Sequence, residues 1–378
     1  MSTRSIPLRR VILLALAGAA LLAGLTGALV LLGVSMPTDT VRMAGTHGML
    51  MTLGFLGTLI ALERAVALDR PWGYLGPLAS GLGAATLIVG LPMAIGAFLL
   101  ATGGALFVAM YVAFDRIERS MHTSVQAIGA LAWLVAALLL LGGRPISTVV
   151  PWLAAFLVLI IAGERLELSR LGRPSEAARR AFLGAVGVFA VGVTATLVAP
   201  DAGMRLAGAG LLGLALWLAR HDIARRTVRR DGVTRFVALS LLTGYAWLAV
   251  AGACWLAFGS SDGGSRYDIM LHALFLGFVI SMVFGHAPII LPAVLRTPLP
   301  YRPRFYGHLA LLHGGLLVRI VGGDLLGSVP AWQAGGVLNV TALLLFVGSS
   351  AIAVAAGREL VPSSVSTPLP QPNRAERS

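Results

Sequence analysis

Two histidines, His272 and His286, lie in one apolar stretch, YDIMLHALFLGFVISMVFGHAPIILPAVL, at residues 267–295. At about 20 residues needed to cross a bilayer, the stretch is long enough to span one. Fourteen residues is nearly four helical turns, so the two side chains point to about the same side of an ideal helix, roughly 21 Å apart along it. Imidazole binds iron, copper and zinc. Ionisable groups at membrane depth are costly to keep there, so each is a functional candidate, with hydrogen bonding to a neighbouring helix as the competing role.

The elements that must position them follow from composition. Hydrophobic residues make up 57% of the chain, charged residues 12%, and mean hydropathy is +0.86. These values define an all-α polytopic membrane protein. The net charge is +13 and the basic residues are all arginine. The arginines sit in short gaps between apolar runs, which fits a positive-inside membrane pattern rather than nucleic-acid binding. Cys254 is the single cysteine, so an intrachain disulfide is excluded. The absence of CxxCH excludes covalent c-type haem attachment.

The apolar run 11–34, preceded by Arg4, Arg9 and Arg10, is too long for a signal-peptide core and reads as an uncleaved first helix. Further runs fall near 45–67, 75–94, 95–114, 123–141, 149–166, 181–199, 203–219, 236–258, 267–291, 305–322 and 334–356, giving twelve helices. The third and fourth meet at a turn, Gly90-Leu91-Pro92. With the N-terminus inside, the outer loops hold Arg42, Arg144, Arg205 and Arg266. Arg319 falls within the eleventh helix, and the inner segments and tails hold the other 24 of 29 arginines. Residues 1–358 read as one transmembrane domain. Residues 359–378, rich in Pro and Ser, read as a disordered cytoplasmic tail.

An internal echo links helices spaced by four. The second helix begins THGMLMTLGF and the tenth contains LHALFLGF. The second ends in Glu63-Arg64 and the sixth in Glu164-Arg165. The spacing suggests three four-helix units.

Sorted by depth, the histidines form two groups. His47 and His272 lie near the outer ends of the second and tenth helices. Two neutral imidazoles from different helices at one depth can clamp a haem iron. Arg319 and Arg42 are candidate partners for its propionates, with snorkelling to headgroups as the other role for Arg319. His286, His308 and His313 form an inner group that suits copper or a second haem. His308 and His313 are five apart, so their directions differ by about 140° and they need not serve one centre. Glu63 and Glu164 read first as local ion pairs and second as proton-uptake groups. His122 and His221 read as interfacial and solvated.

The histidine-led second helix and LHALFLGF in the tenth resemble the NnrS-type membrane proteins. That resemblance implies twelve helices, haem and copper, and a role in nitric oxide metabolism and nitrosative stress. It also implies a bacterial inner membrane, a small gaseous ligand such as nitric oxide, and an electron donor, quinol or cytochrome. The arrangement is also similar to the catalytic subunit of haem–copper oxidases and nitric oxide reductases. In that fold twelve helices form three arcs, and a low-spin haem b-type site is held from helices two and ten. By that likeness His47 and His272 take the axial positions. The sequence departs from the oxidase pattern in lacking histidines on helices six and seven, so a standard binuclear centre is not expected.

Two other functions compete. A secondary transporter would use the buried histidines with Glu63 and Glu164 to carry protons or metal ions. A terminal reductase, a haem-dependent oxidoreductase, would need an open metal position. The arginine split predicts that both termini are cytoplasmic. A reporter joined after Arg358 should therefore be active only as a cytoplasmic-type reporter; activity on the far side would overturn the orientation.

Overall fold

The computed structural model describes residues 7–172, 174–295 and 301–359. All twelve expected spans are helices: α1 (Leu8–Leu31), α2 (Arg42–Leu68), α3 (Pro71–Val89), α4 (Met93–Ile117), α5 (Met121–Leu141) and α6 (Ile146–Ser169). The second half comprises α7 (Glu176–Ala195), α8 (Pro200–His221), α9 (Gly232–Phe258), α10 (Gly264–Leu295), α11 (Phe305–Leu325) and α12 (Val329–Glu359). Among the described residues there is no strand. A helix satisfies its backbone internally, which is the condition for crossing hydrocarbon. The expected tail at 359–378 lies outside the described residues except for Glu359, which ends α12.

The junction of α3 and α4 falls where the glycine placed it. Gly90 has φ +83°, a left-handed conformation that ends α3, and Pro92 caps the start of α4. Most connections are only a few residues long, so successive helices run antiparallel, and all even-numbered helices run the same way. Two ends can then be named: the His47 end, where α2 and α10 begin, and the Glu63 end, where α2 and α6 finish.

The helices form an inner and an outer layer. The spans of α2, α6 and α10 are the most enclosed, with 67%, 78% and 61% of their apolar windows buried, against 33–56% in the others. These are the helices linked by the sequence echo. An inner helix needs apolar residues all round it, and α6 meets that need from Val149 to Ala162. Aromatic rings fix α4, α5 and α6 together: Phe107 lies 5.1 Å from Trp133, and Trp133 lies 4.9 Å from Phe156. Elsewhere helices approach through glycine. A Cβ on Gly252 would meet the Leu212 nitrogen at 2.7 Å and the Gly208 oxygen at 3.0 Å, where α9 crosses α8.

Three helices are wound more loosely over eight residues, with π-type bonding: Leu50–Gly57 in α2, Ala273–Ile280 in α10 and Val318–Leu325 in α11. The fifth residue of each is glycine: Gly54, Gly277 and Gly322. In the first two, Leu-Gly-Phe occupies positions four to six, so the echo between LMTLGFLG and ALFLGFVI marks a shared backbone distortion. Added Cβ atoms there would meet neighbours closely: Ala84 Cβ at 2.9 Å from Gly54, Trp247 Cβ at 2.6 Å from Gly277 and Ala331 Cβ at 2.8 Å from Gly322. The looser winding also lies between His272 and His286. Their expected common direction assumed ideal winding throughout and does not carry over.

Candidate functional site

At the His47 end, α2, α10, α11 and α12 bring together His47, Asp268, His272, Arg319, Asp324 and Trp332. The centre of this cluster is an ion pair. Asp268 accepts two hydrogen bonds from Arg319, Nε to Oδ2 at 2.8 Å and a terminal nitrogen to Oδ1 at 2.6 Å. Such a fork holds the planar guanidinium in one orientation. The Arg319 side chain is 8% exposed and that of Asp268 15%. The Arg319 guanidinium also lies 5.1 Å from the Trp332 ring, a cation–π contact that ties in α12. Asp324 stands near the pair, and its Oδ2 is buried without a hydrogen-bond partner.

One turn after Asp268, His272 places its Nδ1 2.9 Å from the Asp268 carbonyl oxygen and 3.3 Å from Oδ1 of the same residue. A carbonyl oxygen only accepts, so Nδ1 carries the proton. In a neutral ring Nε2 then keeps its lone pair. His47 has the same arrangement through a different helix: its Nδ1 lies 2.7 Å from the Gly24 carbonyl oxygen of α1. Helix α1 comes this near because Gly24 has no side chain; a Cβ there would meet the Met51 sulfur at 2.7 Å. His272 and Arg319 are both close enough to act electrostatically on His47. Thus two imidazoles on two helices each have Nδ1 tied back to backbone and Nε2 free to bind a ligand. Histidines that bind metals commonly have their other ring nitrogen held by such a hydrogen bond.

The two arginines expected beside this site are both engaged. Arg319 is held by Asp268. Arg42 donates twice to the Ile88 carbonyl oxygen, at 2.9 and 3.2 Å, and so joins the start of α2 to the end of α3. Sequence reasoning passed over Asp268 and Asp324. The signal was present: Asp268 stands four residues before His272, on the same helix face.

The inner histidines sit in three different surroundings. His286, on α10, donates Nδ1–H to the Met282 carbonyl oxygen at 2.6 Å, and its buried Nε2 has no hydrogen-bond partner. His308 on α11 is boxed by the rings of Phe236, Phe284, Phe305 and Phe346, with centroids 5.0 to 6.4 Å away. His313 accepts a hydrogen bond from Trp247 Nε1 at 3.0 Å on Nδ1, so its proton sits on Nε2 and that nitrogen is no ligand. His122 contacts Ser120, Glu167 and Arg170. His221 stacks on Trp217, with centroids 4.9 Å apart, rather than standing free in solvent.

At the Glu63 end, the Glu-Arg pairs of α2 and α6 meet in space. Arg64 donates to Glu63 at 3.1 Å and also to Glu164 across the helices. Beside them, Arg165 is buried, and the buried Tyr245 hydroxyl donates to Asp222 at 2.8 Å. The local pair read from sequence at Glu63-Arg64 is present, and Arg64 also links α2 to α6 through Glu164.

The fold and these clusters define a polytopic helical membrane protein with polar groups gathered at two depths. The chain belongs to the family described as a domain of unknown function (DUF8744), whose model matches residues 10–355. No curated protein matches it.

The Asp268–Arg319 pair makes a stability prediction. Asp268→Ala leaves a guanidinium unpaired inside the bundle, which should cost about 3–5 kcal/mol in an SDS unfolding titration. A loss no larger than that from Asp262→Ala, at an exposed loop position, would show that the pair does not hold α10 to α11.

Proposed function

We propose that this protein binds a b-type haem between His47 and His272, and that it acts, like the NnrS-type proteins it resembles, in nitric oxide or nitrogen-oxide metabolism or the response to it. One observation carries the reading. Both imidazoles fix Nδ1–H on a backbone carbonyl, from Gly24 and Asp268, and so present Nε2 from two helices at one depth. The residues fit the group: a bis-histidine haem asks the protein for two such nitrogens and an apolar bundle around them. When bound, haem supplies one-electron redox chemistry and, with an open position, binding of small gases.

The chain's own residues set the conditions. Gly24 and Asp268 orient the rings. The Asp268 carboxylate near Nδ1 makes His272 a more basic ligand than His47, whose Nδ1 faces a neutral carbonyl. Arg319 neutralises Asp268, so the carboxylate does not stand alone beside the site. Because Arg319 and Arg42 are engaged, the haem propionates are expected to reach water or headgroups at the membrane surface. For copper or a second haem the inner group supplies two unpartnered nitrogens, Nε2 of His286 and Nε2 of His308, but the latter is enclosed by four phenylalanine rings, and we propose no second metal there.

The reading requires an electron donor, quinol or cytochrome, and places the protein in a bacterial inner membrane with both termini cytoplasmic, on the strength of the arginine distribution. Any turnover would be that of a haem-dependent oxidoreductase. The test is the visible spectrum of protein purified after expression with adequate haem. The wild type should show sharp reduced bands of a six-coordinate, low-spin iron. His47→Ala and His272→Ala should each lose the haem or turn it high-spin. Retention of the wild-type spectrum by both variants would remove the assignment. A colourless wild type would favour the transporter, with the Glu63–Arg64–Glu164 link as its charge-carrying element.

A further inference from the structure

A second site lies in the other half of the bundle. A cleft of about 490 Å³ runs between α1, α2, α6, α10 and α12. That volume is in the usual range for a small-molecule site, and the walls are almost wholly apolar. Its polar groups are Glu63, Glu164, His286 and Ser350. These stand in the second halves of α2, α6, α10 and α12, which run in the same direction, so they share one depth. The remainder of the cleft is lined by residues such as Leu56, Leu157 and Val279. Val347, 40% exposed, lines it too, so the cleft reaches the outer surface of the bundle.

The polar level has a definite hydrogen-bonding character. His286 Nδ1 is committed to the Met282 carbonyl, so Nε2 offers a lone pair, and it is buried without a partner. The Ser350 hydroxyl is likewise buried without a partner. The two glutamates offer carboxylate oxygens. The level is therefore richer in acceptors than in donors: His286 Nε2 and the glutamate oxygens not held by Arg64 accept, the Ser350 hydroxyl can do either, and Arg64, which bridges the glutamates, is not part of the lining. An acyl chain would leave His286 and Ser350 unsatisfied. A phospholipid phosphate would bring negative charge and more acceptors against two carboxylates. The complementary ligand has an apolar tail and a small neutral head that donates hydrogen bonds.

We infer that this cleft binds a lipid-soluble quinol, with its hydroxyls donating to His286 Nε2 and to the glutamate carboxylates and its tail lying along the apolar wall. The inference deepens the redox reading by giving its electron donor a place, but binding depends on the cleft alone. The reduced form is preferred, because the oxidised quinone has carbonyls where the quinol has donors.

The experiment measures binding of a radiolabelled short-tail ubiquinol analogue to the full chain in nanodiscs, under anaerobic reducing conditions, against the same analogue as the quinone under oxidising ones. The quinol should bind at least about tenfold more tightly, the worth of one good buried hydrogen bond. His286→Ala should remove that preference. Gly18→Phe should abolish binding of both forms while the protein stays folded, because Gly18 lines the cleft and a Cβ there meets nothing within 4 Å. Equal affinity for the two forms, unchanged binding in Gly18→Phe, or displacement by phospholipid as readily as by unlabelled quinol would each overturn the proposal. The readout is binding, so it stands whether the purified protein is coloured or colourless, and a failure here leaves the haem spectrum as a separate result.

Discussion

The ion pair between Asp268 and Arg319 is the constraint on which the His47 end depends. Two opposite charges within an apolar bundle are tolerable only in good geometry with their remaining hydrogen-bonding capacity used. Here the guanidinium fork meets both carboxylate oxygens, and Trp332 covers the cation. Satisfying the pair fixes α11 and α12 against α10. It also fixes the first turns of α10, and with them His272, whose Nδ1 bonds back to Asp268. The ring orientation needed for ligand binding is thus a by-product of meeting a charge-burial requirement.

The same end carries the looser helical windings of α2, α10 and α11. Each follows or contains a polar residue of the cluster: His47 and His272 stand just before theirs, and Arg319 and Asp324 lie inside theirs. Such distortions concentrate at functional sites because they re-aim side chains that an ideal helix would align differently. The glycine at the fifth position lets the widened backbone sit against Ala84, Trp247 and Ala331. The Glu63 end is built on another plan, with charged links between helices around an apolar cleft. One end of the bundle presents ligand nitrogens, and the other presents hydrogen-bond acceptors to a space reached from the outer surface.

Much of this architecture was legible in the sequence. Twelve apolar runs became twelve helices because hydrocarbon leaves backbone groups no other way to be satisfied, and Gly90 ended α3 because it alone at that junction takes a left-handed conformation freely. Helices α2, α6 and α10, picked out by a weak echo, are the inner layer. Less was legible about partners. The pairing of Arg319 with Asp268, of Arg64 with Glu164 and of His47 with the Gly24 carbonyl spans 51, 100 and 23 residues, and helix periodicity says nothing about which distant helix a side chain will meet. The common direction expected of His272 and His286 rested on ideal winding, from which the backbone between them departs.

The central claim is that His47 and His272 together hold one iron through their Nε2 atoms. Electron paramagnetic resonance of the oxidised, purified wild type tests it most directly, because the signal reports the axial ligands of the iron itself. A low-spin ferric spectrum of the bis-imidazole type, at one iron per chain, is the predicted result. A purely high-spin spectrum, or protein that binds no haem when expressed with an adequate supply, would contradict the account.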